Sequence, residues 1–398
     1  MKVATRLQEI RPSATLVMAA RAAALRREGK PIISFTTGEP DFDTPEHIKD
    51  AAAKAMREGF TKYTAAGGIL ELREAVRDRI QRDYGLQYGT DQIIITCGAK
   101  HAISNALMAL CNAGDEVICI SPYWTSYPEM IRLAGGTPVL VKTRAEDGYI
   151  PSAADLEAAF TERTRVLILN SPSNPTGAVY TEDKIKEIAE AIRGRDIAVI
   201  TDDIYDRLIY GGHRFASITA AGEEVRENTI IVGGVSKTYA MTGWRIGYAA
   251  GPRPIIQGME TLQSQTTSNP TSISQKAALA ALRGPDDACD AMRTEFDRRR
   301  KAMLAGLRQI SGIQVTEPFG AFFTFPRVAS FFGRKVKGKE LRSSIDIGEA
   351  LLEEAHVAIV PGAAFGDDRA IRLSYALSFE AITEGMARIA KFFEETLE

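Results

Sequence analysis

The chain has 398 residues, 45% of them apolar and 25% charged, and its 49 basic residues nearly balance 51 acidic ones for a formal charge of -2. That length is enough to bury a sizeable core and predicts two structural domains, while the balanced charge gives no pull toward nucleic acid or an anionic membrane. No long apolar run marks a membrane span, and the opening MKVATRLQEIRPSATL lacks the apolar centre of a secretory signal, so a cytoplasmic location and a small-molecule substrate are expected.

In chain order, short β-branched runs recur at 93–96, 117–120, 139–141, 166–170, 198–201 and 229–232. Helical periodicity occupies 99–111 and 181–193 between them, and a long Arg-rich helix is predicted over 290–310. The alternation predicts an α/β fold, a mostly parallel sheet between helices. Beyond the long helix the character changes: 319–326 reads as an aromatic strand, 357–360 and 371–375 as further strands, and a helix closes the chain. With no low-complexity linker, two domains sharing the long helix are expected, a large one over 45–290 and a smaller α+β one from 1–44 and 291–398. Cys97, Cys111, Cys119 and Cys289 form no CxxC pair, and His47, His101, His213 and His356 lack ligand spacing. No metal site is expected, and the thiols are read as unpaired.

Ligands of an open parallel sheet bind at the carboxyl ends of its strands, so polar residues just after the apolar runs are candidates. Run 93–96 leads into Cys97-Gly98-Ala99-Lys100 and a helix, which offers free N–H groups to a phosphate, although an ordinary glycine turn reads the same way. Run 166–170 enters a turn with two prolines and a glycine around Asn174. Run 198–201 ends at Asp202-Asp203-Ile204-Tyr205, where a buried acid calls for a cationic partner. Run 229–232 leads to Ser236-Lys237, a lysine with no charged neighbour before Arg245; burial would lower its pKa and make it a nucleophile. Arg372 lies in an apolar strand and needs a carboxylate or phosphate, unless it forms a structural ion pair. The stretch GGVSKT is no phosphate-binding loop, because Ser236 stands where that motif requires glycine. A lysine, an acid, an amide, a phenol and two arginines make up the inventory of a pyridoxal phosphate site.

Longer stretches carry a family likeness: PSAT at 12–15, GEPDFDTP at 38–45, TKYTAAGGILELR at 61–73, SPYWTSYPEM at 121–130, NSPSNPTG at 170–177, SKTYAMTGWRIGYAAGP at 236–252 and RLSYA at 372–376. With these the chain resembles the class I, fold-type I aminotransferases, and among them the bacterial aspartate aminotransferases, almost from end to end. The resemblance implies that Lys237 holds pyridoxal 5'-phosphate as a Schiff base and then serves as the base at the substrate Cα. It implies that Asp202 pairs with the pyridine nitrogen, and that Asn174 and Tyr205 bond the phenolic oxygen. Arg245 and the N–H groups of Gly98, Ala99 and Lys100 would hold the phosphate, and Trp124 would stack on the ring. Arg372 would bind the substrate carboxylate, with Asn174 and a backbone contact from Gly38. Tyr63 matches the tyrosine that reaches the neighbouring subunit's cofactor, which implies a homodimer. Many relatives carry a phosphate-contacting serine three residues before the lysine; here Gly234 stands there and Ser236 is the candidate substitute.

Residues 259–274 contain no arginine or lysine that could bind a distal carboxylate across a dimer. The chain instead resembles the subgroup in which a lysine of the phosphate turn, here Lys100, recognises an acidic side chain, with Ser13, Thr15 and Ser264 nearby. Aspartate and glutamate are the expected donors and 2-oxoglutarate or oxaloacetate the acceptors, in a ping-pong exchange. A prephenate or aromatic aminotransferase, or a β-lyase of the same fold, would share Lys237, Asp202 and Arg245.

Overall fold

The computed structural model, which describes residues 1–397, gathers the apolar runs into one seven-stranded sheet. Its strands are β1 (Ile93–Thr96), β2 (Glu116–Ser121), β3 (Thr137–Lys142), β4 (Thr164–Asn170), β5 (Ala198–Asp202), β6 (Thr229–Gly234) and β7 (Gly247–Ala250), in the spatial order β1-β7-β6-β5-β4-β2-β3. Strands β6, β5, β4, β2 and β3 run parallel, and β7 lies antiparallel to both its neighbours. Strand β7 was not legible, because its four residues GYAA carry neither a β-branched run nor an alternation.

Both faces of the sheet are covered, which is why its central strands are apolar throughout. Successive side chains point to opposite faces. Val117, Cys119, Val166 and Ile168 therefore join Ala102, Ile103 and Ala106 of helix Ala99–Leu110 on one side. Ile118, Ile120, Leu167 and Leu169 meet Ile185, Ile188 and Ile192 of helix Glu182–Ile192 on the other. That second helix starts where the Thr181 side chain accepts the N–H of Lys184, an N-cap the sequence announces with Thr-Glu-Asp.

A second core collects Ile33 and Phe35 from the start of the chain with apolar residues from Met292 to Phe393. Helix Asp287–Gln309 joins the two regions: Cys289 packs with the sheet's helices, while Met292, Phe296, Met303 and Leu307 pack in the second core. At 23 residues it spans about 35 Å, as a bridging helix must.

Two strand expectations in this tail need correction. The aromatic run 319–326 keeps only Phe323–Thr324 as a strand, because Phe319 and Gly320 both donate to the Gly177 carbonyl and Ala321 takes a left-handed φ of 57°. The run 357–360 is two strands: Val357–Ala358 pairs parallel with Ile33–Ser34, and Val360–Pro361 pairs antiparallel with Ile371–Ser374. The start of the chain is thereby built into the second core. Among the described residues, no helix is long and apolar enough to cross a membrane.

Candidate active site

A cleft of about 420 Å³ opens at the carboxyl ends of β4, β5 and β6, and its walls draw on both cores. It brings together Ser13, Thr15, Gly38, Ala99, Lys100, Trp124, Asn174, Asp202, Tyr205, Ser236, Lys237, Arg245 and Arg372. These residues are separated by hundreds of positions in the chain. The sheet topology is what makes them neighbours.

Asp202 ends β5 and is only 4% exposed. Its Oδ2 accepts the Tyr127 hydroxyl at 2.6 Å and its Oδ1 the N–H of Ile204 at 3.4 Å. Burial pushes its pKa up to about 6, and the bond from Tyr127 opposes that rise. The expected cationic partner is not in direct contact: among the described residues no lysine or arginine forms an ion pair with Asp202, and the only charge that favours its ionised form is that of Lys237. An acid buried at this cost and facing a cleft is arranged for a cation that enters from outside.

Lys237 sits just past β6, half-buried, with Nζ donating to the Gly38 carbonyl at 2.6 Å. Desolvation lowers its pKa to about 8, and the Glu39 carboxylate works against the shift. Neutral amine is therefore available near physiological pH, as the apolar and aromatic stretch around it predicts.

Arg372, 1% exposed in the strand Ile371–Ser374, donates Nη1 to Asn174 Oδ1 at 3.1 Å and Nη2 to the Thr36 carbonyl at 2.8 Å. Among the described residues its Nε has no partner and no carboxylate neutralises it, and desolvation lowers its pKa to about 10. Phe323 and Phe365 lie 4.4 and 5.1 Å from the guanidinium and hold it by cation–π contact. The structural ion pair that could have explained this arginine is absent among the described residues.

Arg245, also in the cleft lining, takes a left-handed φ of 56° and donates to the carbonyls of Thr242 at 2.8 Å and Cys97 at 3.4 Å. Gly98 permits this approach, since a Cβ there would stand 2.6 Å from Arg245 Nη2. One expectation is revised here: the Gly98 N–H is spent on the Thr96 carbonyl at 2.8 Å. Ala99 and Lys100 open the helix and line the cleft, and the first N–H groups of a helix have no intrahelical acceptor. Lys100 lies 4.9 Å from the Trp124 ring centroid, and burial followed by Arg245 lowers its pKa.

Asn174 is 7% exposed, its N–H bound to Asn170 Oδ1 at 2.9 Å and its side chain within reach of Tyr205. Gly177 closes its turn with φ 70°, where a Cβ would stand 2.2 Å from Pro318 Cβ. At Gly234 a Cβ would meet Ile204 Cδ1 at 3.0 Å and Gly247 Cα at 3.2 Å, so this position is crowded by packing, while Ser236 lines the cleft.

Besides Gly98, two expected residues lie outside the cleft lining. Ser264 is exposed on helix Arg253–Thr266 and donates to its own helix at the Thr261 carbonyl, 2.7 Å away. Tyr63 is 89% exposed on the loop 60–69. Conversely, Tyr127 and Asn170 went unremarked in the sequence. Tyr127 follows Trp124 by three residues and meets it edge-on at 5.4 Å, a spacing within SPYWTSYPEM that could have flagged it.

A family model described as aminotransferase class I and II matches residues 30–389. The aspartate aminotransferase of Bacillus subtilis (strain 168) is 43% identical over 395 residues, covering 99% of this chain and 100% of that protein. The crystal structure of the aspartate aminotransferase from Rhizobium meliloti superposes with a TM-score of 0.96 at 45% identity, covering all of both chains. That of the Thermus thermophilus aspartate aminotransferase with maleate does so at 0.92 and 40% identity, covering 98% of this chain and 99% of the other. This chain belongs to the class I and II aminotransferase family.

Proposed function

We propose that this protein is a pyridoxal-phosphate-dependent aspartate aminotransferase, acting in the cytoplasm as a homodimer with a large domain over 45–290 and a small domain from 1–44 and 291–398. The observation that carries the cofactor assignment is a pair of buried charges lining one cleft, neither of them in an ion pair among the described residues. Asp202 is a buried acid with Lys237 as the only charge favouring its ionised form, and Arg372 is a buried guanidinium that no carboxylate pairs among the described residues.

The cleft fits the cofactor. Its four cations, Lys100, Lys237, Arg245 and Arg372, outnumber the acids Asp202 and Glu39, and among the described residues none of the four is in an ion pair, as a site for a phosphate and carboxylates requires. Bound there, pyridoxal 5'-phosphate supplies an aldehyde to take up the amino group and a ring to store the electron pair left at the substrate Cα. Arg245, Ser236 and the N–H groups of Ala99 and Lys100 hold the phosphate, with the helix start adding its positive dipole end. Trp124 supplies an aromatic wall for the ring. Asp202 would favour a proton on the ring nitrogen, and Asn174 and Tyr205 would hydrogen-bond the ring oxygen. Arg372 grips the substrate α-carboxylate and so orients the Cα–H toward Lys237, whose Nζ takes that proton. Lys100, with Ser13 and Thr15 at the cleft mouth, meets the side-chain carboxylate of aspartate or glutamate.

The deciding experiment is a half-reaction. Mixing cofactor-loaded protein with aspartate is expected to turn the absorbance of the aldehyde form into that of the amine form and to release oxaloacetate, which 2-oxoglutarate then reverses. Release of pyruvate and ammonia from cysteine, whose β-thiol leaves as sulfide, with no amine form produced from aspartate, would make the protein a lyase. Prephenate and phenylpyruvate in the same assay as acceptors define the range.

Tyr127 gives a pH prediction. Asp202 attracts the ring nitrogen only when ionised, so cofactor affinity is expected to fall as pH drops through about 6. Tyr127→Phe removes the hydrogen bond that favours the carboxylate. The decline should then begin at higher pH, with about tenfold weaker binding at pH 6. An absorbance titration of the cofactor across pH checks this, and superimposable curves would remove Tyr127 from the role.

A further inference from the structure

Loop 60–69 joins helices Glu46–Arg57 and Leu70–Tyr84 and leaves the Tyr63 ring in solvent, yet the backbone beneath it is held by buried polar side chains. Gln275, fully buried in helix Ser272–Arg283, accepts the Ile69 N–H at 2.8 Å and donates to Thr64 Oγ1 at 3.0 Å and the Pro270 carbonyl at 2.8 Å. Gln263, fully buried in helix Arg253–Thr266, donates to the Ala66 carbonyl at 2.6 Å and the Ile95 carbonyl at 2.7 Å, while Asn105 Nδ2 donates to its Oε1 at 3.4 Å.

A buried amide is costly unless its donors and acceptor are satisfied, and a satisfied one fixes geometry more than it adds stability. An apolar side chain at either position would fill the same volume without that demand. Two such amides spent on one surface loop therefore specify where that loop stands. Ile95 lies in β1, whose carboxyl end runs straight into the turn that holds Ala99 and Lys100. The two protons of one Gln263 amide thus tie the strand that leads into this chain's own phosphate turn to the base of the Tyr63 loop.

We propose that Gln263 and Gln275 are positioning residues that present Tyr63 to the cofactor phosphate of the neighbouring subunit, and that Gln263 also braces the phosphate turn of its own subunit. This rests on the reading of Tyr63 given above. Gln275 bonds the loop at Ile69 and Thr64 and, outside it, the Pro270 carbonyl, with no hydrogen bond to β1 or the phosphate turn among the described residues, so its effect on cofactor binding passes chiefly through the loop that carries Tyr63. Gln263 touches both sides, so part of its effect does not.

The test is a double-mutant cycle on the cofactor dissociation constant, read by absorbance titration of dimeric protein. Tyr63→Phe and Gln275→Met are each expected to weaken binding by about tenfold, and the double variant to be no weaker than Tyr63→Phe alone. Gln263→Met should retain a residual loss in the Tyr63→Phe background. If Gln275→Met does not fold, Gln275→Glu, which keeps the acceptor but loses the donors, takes its place. A glutamine variant with parental affinity, or full additivity with Tyr63→Phe, overturns the positioning role and leaves the Tyr63 reading intact. Parental affinity in Tyr63→Phe itself overturns that reading and the proposal with it. Loss of the Gln263 residual overturns only the bracing of its own turn.

Discussion

Lys237→Ala is expected to lower turnover with aspartate by roughly 10⁴-fold or more, because one substitution removes both the covalent anchor and the base at the substrate Cα. The cofactor should still bind, since Arg245, Asp202 and the helix start are untouched. Borohydride reduction and peptide mapping should place the pyridoxyl label at position 237 in the parent and nowhere in the variant. The pKa shift gives an independent check that the variant is folded. Lys237 titrates at about 8 in the folded chain, below its ordinary value of about 10.4, so its charge opposes folding below about pH 8. That opposition fades as pH rises from about 8 to 10.4, where the neutral amine of the folded state matches the unfolded one. Cofactor-free Lys237→Ala is therefore expected to melt no lower than the cofactor-free parent at pH 7. A variant that turns over at the parental rate would strip Lys237 of both roles.

The residues that carry this chemistry were legible because each breaks a local rule. Asp202 and Arg372 are charges in apolar strands, and Lys237 is a lysine among small and aromatic neighbours; in each case an uncompensated burial is visible in one dimension. The central strands were legible for a related reason, since a sheet covered on both faces reads as unbroken apolar runs. Strand β7 escaped because GYAA is stabilised by its neighbours on both sides rather than by any pattern of its own. The run 319–326 misled because its aromatic residues serve a core rather than a ladder: Phe322 stacks on Phe296 at 5.4 Å, and the backbone kinks at Ala321 to allow it. Tyr127 was hidden in a different way. Its partner is 75 residues distant, and a tyrosine next to a proline at a helix start carries no mark of the carboxylate it will meet. Ser264 shows the reverse error, a polar residue carried over by likeness whose hydroxyl is spent on its own helix.

Arg372→Lys is the second large effect, a loss of about 10² to 10³-fold in kcat/KM for aspartate, dominated by KM. The guanidinium is held edge and face at once. Asn174 and Thr36 take one donor from each terminal nitrogen, Phe323 and Phe365 flank the plane, and the unpartnered Nε is left with the remaining terminal N–H groups to meet a carboxylate as a fork. An ammonium cannot keep the two anchoring bonds and also present two parallel donors. Its reach is shorter, and its charge is more strongly hydrated in the free state. The pH dependence separates loss of shape from loss of charge. Burial already lowers Arg372 to about 10, so the parent should bind the substrate carboxylate until pH nears that value and lose it above. A lysine begins from about 10.4, and the same desolvation acts on it in the same direction, so the variant should shed its proton at lower pH. KM for aspartate in Arg372→Lys should therefore climb earlier on the alkaline side than in the parent, on top of its pH-independent increase. Initial rates from pH 7 to 10 measure both. An unchanged KM across that range would place the substrate carboxylate elsewhere in the cleft.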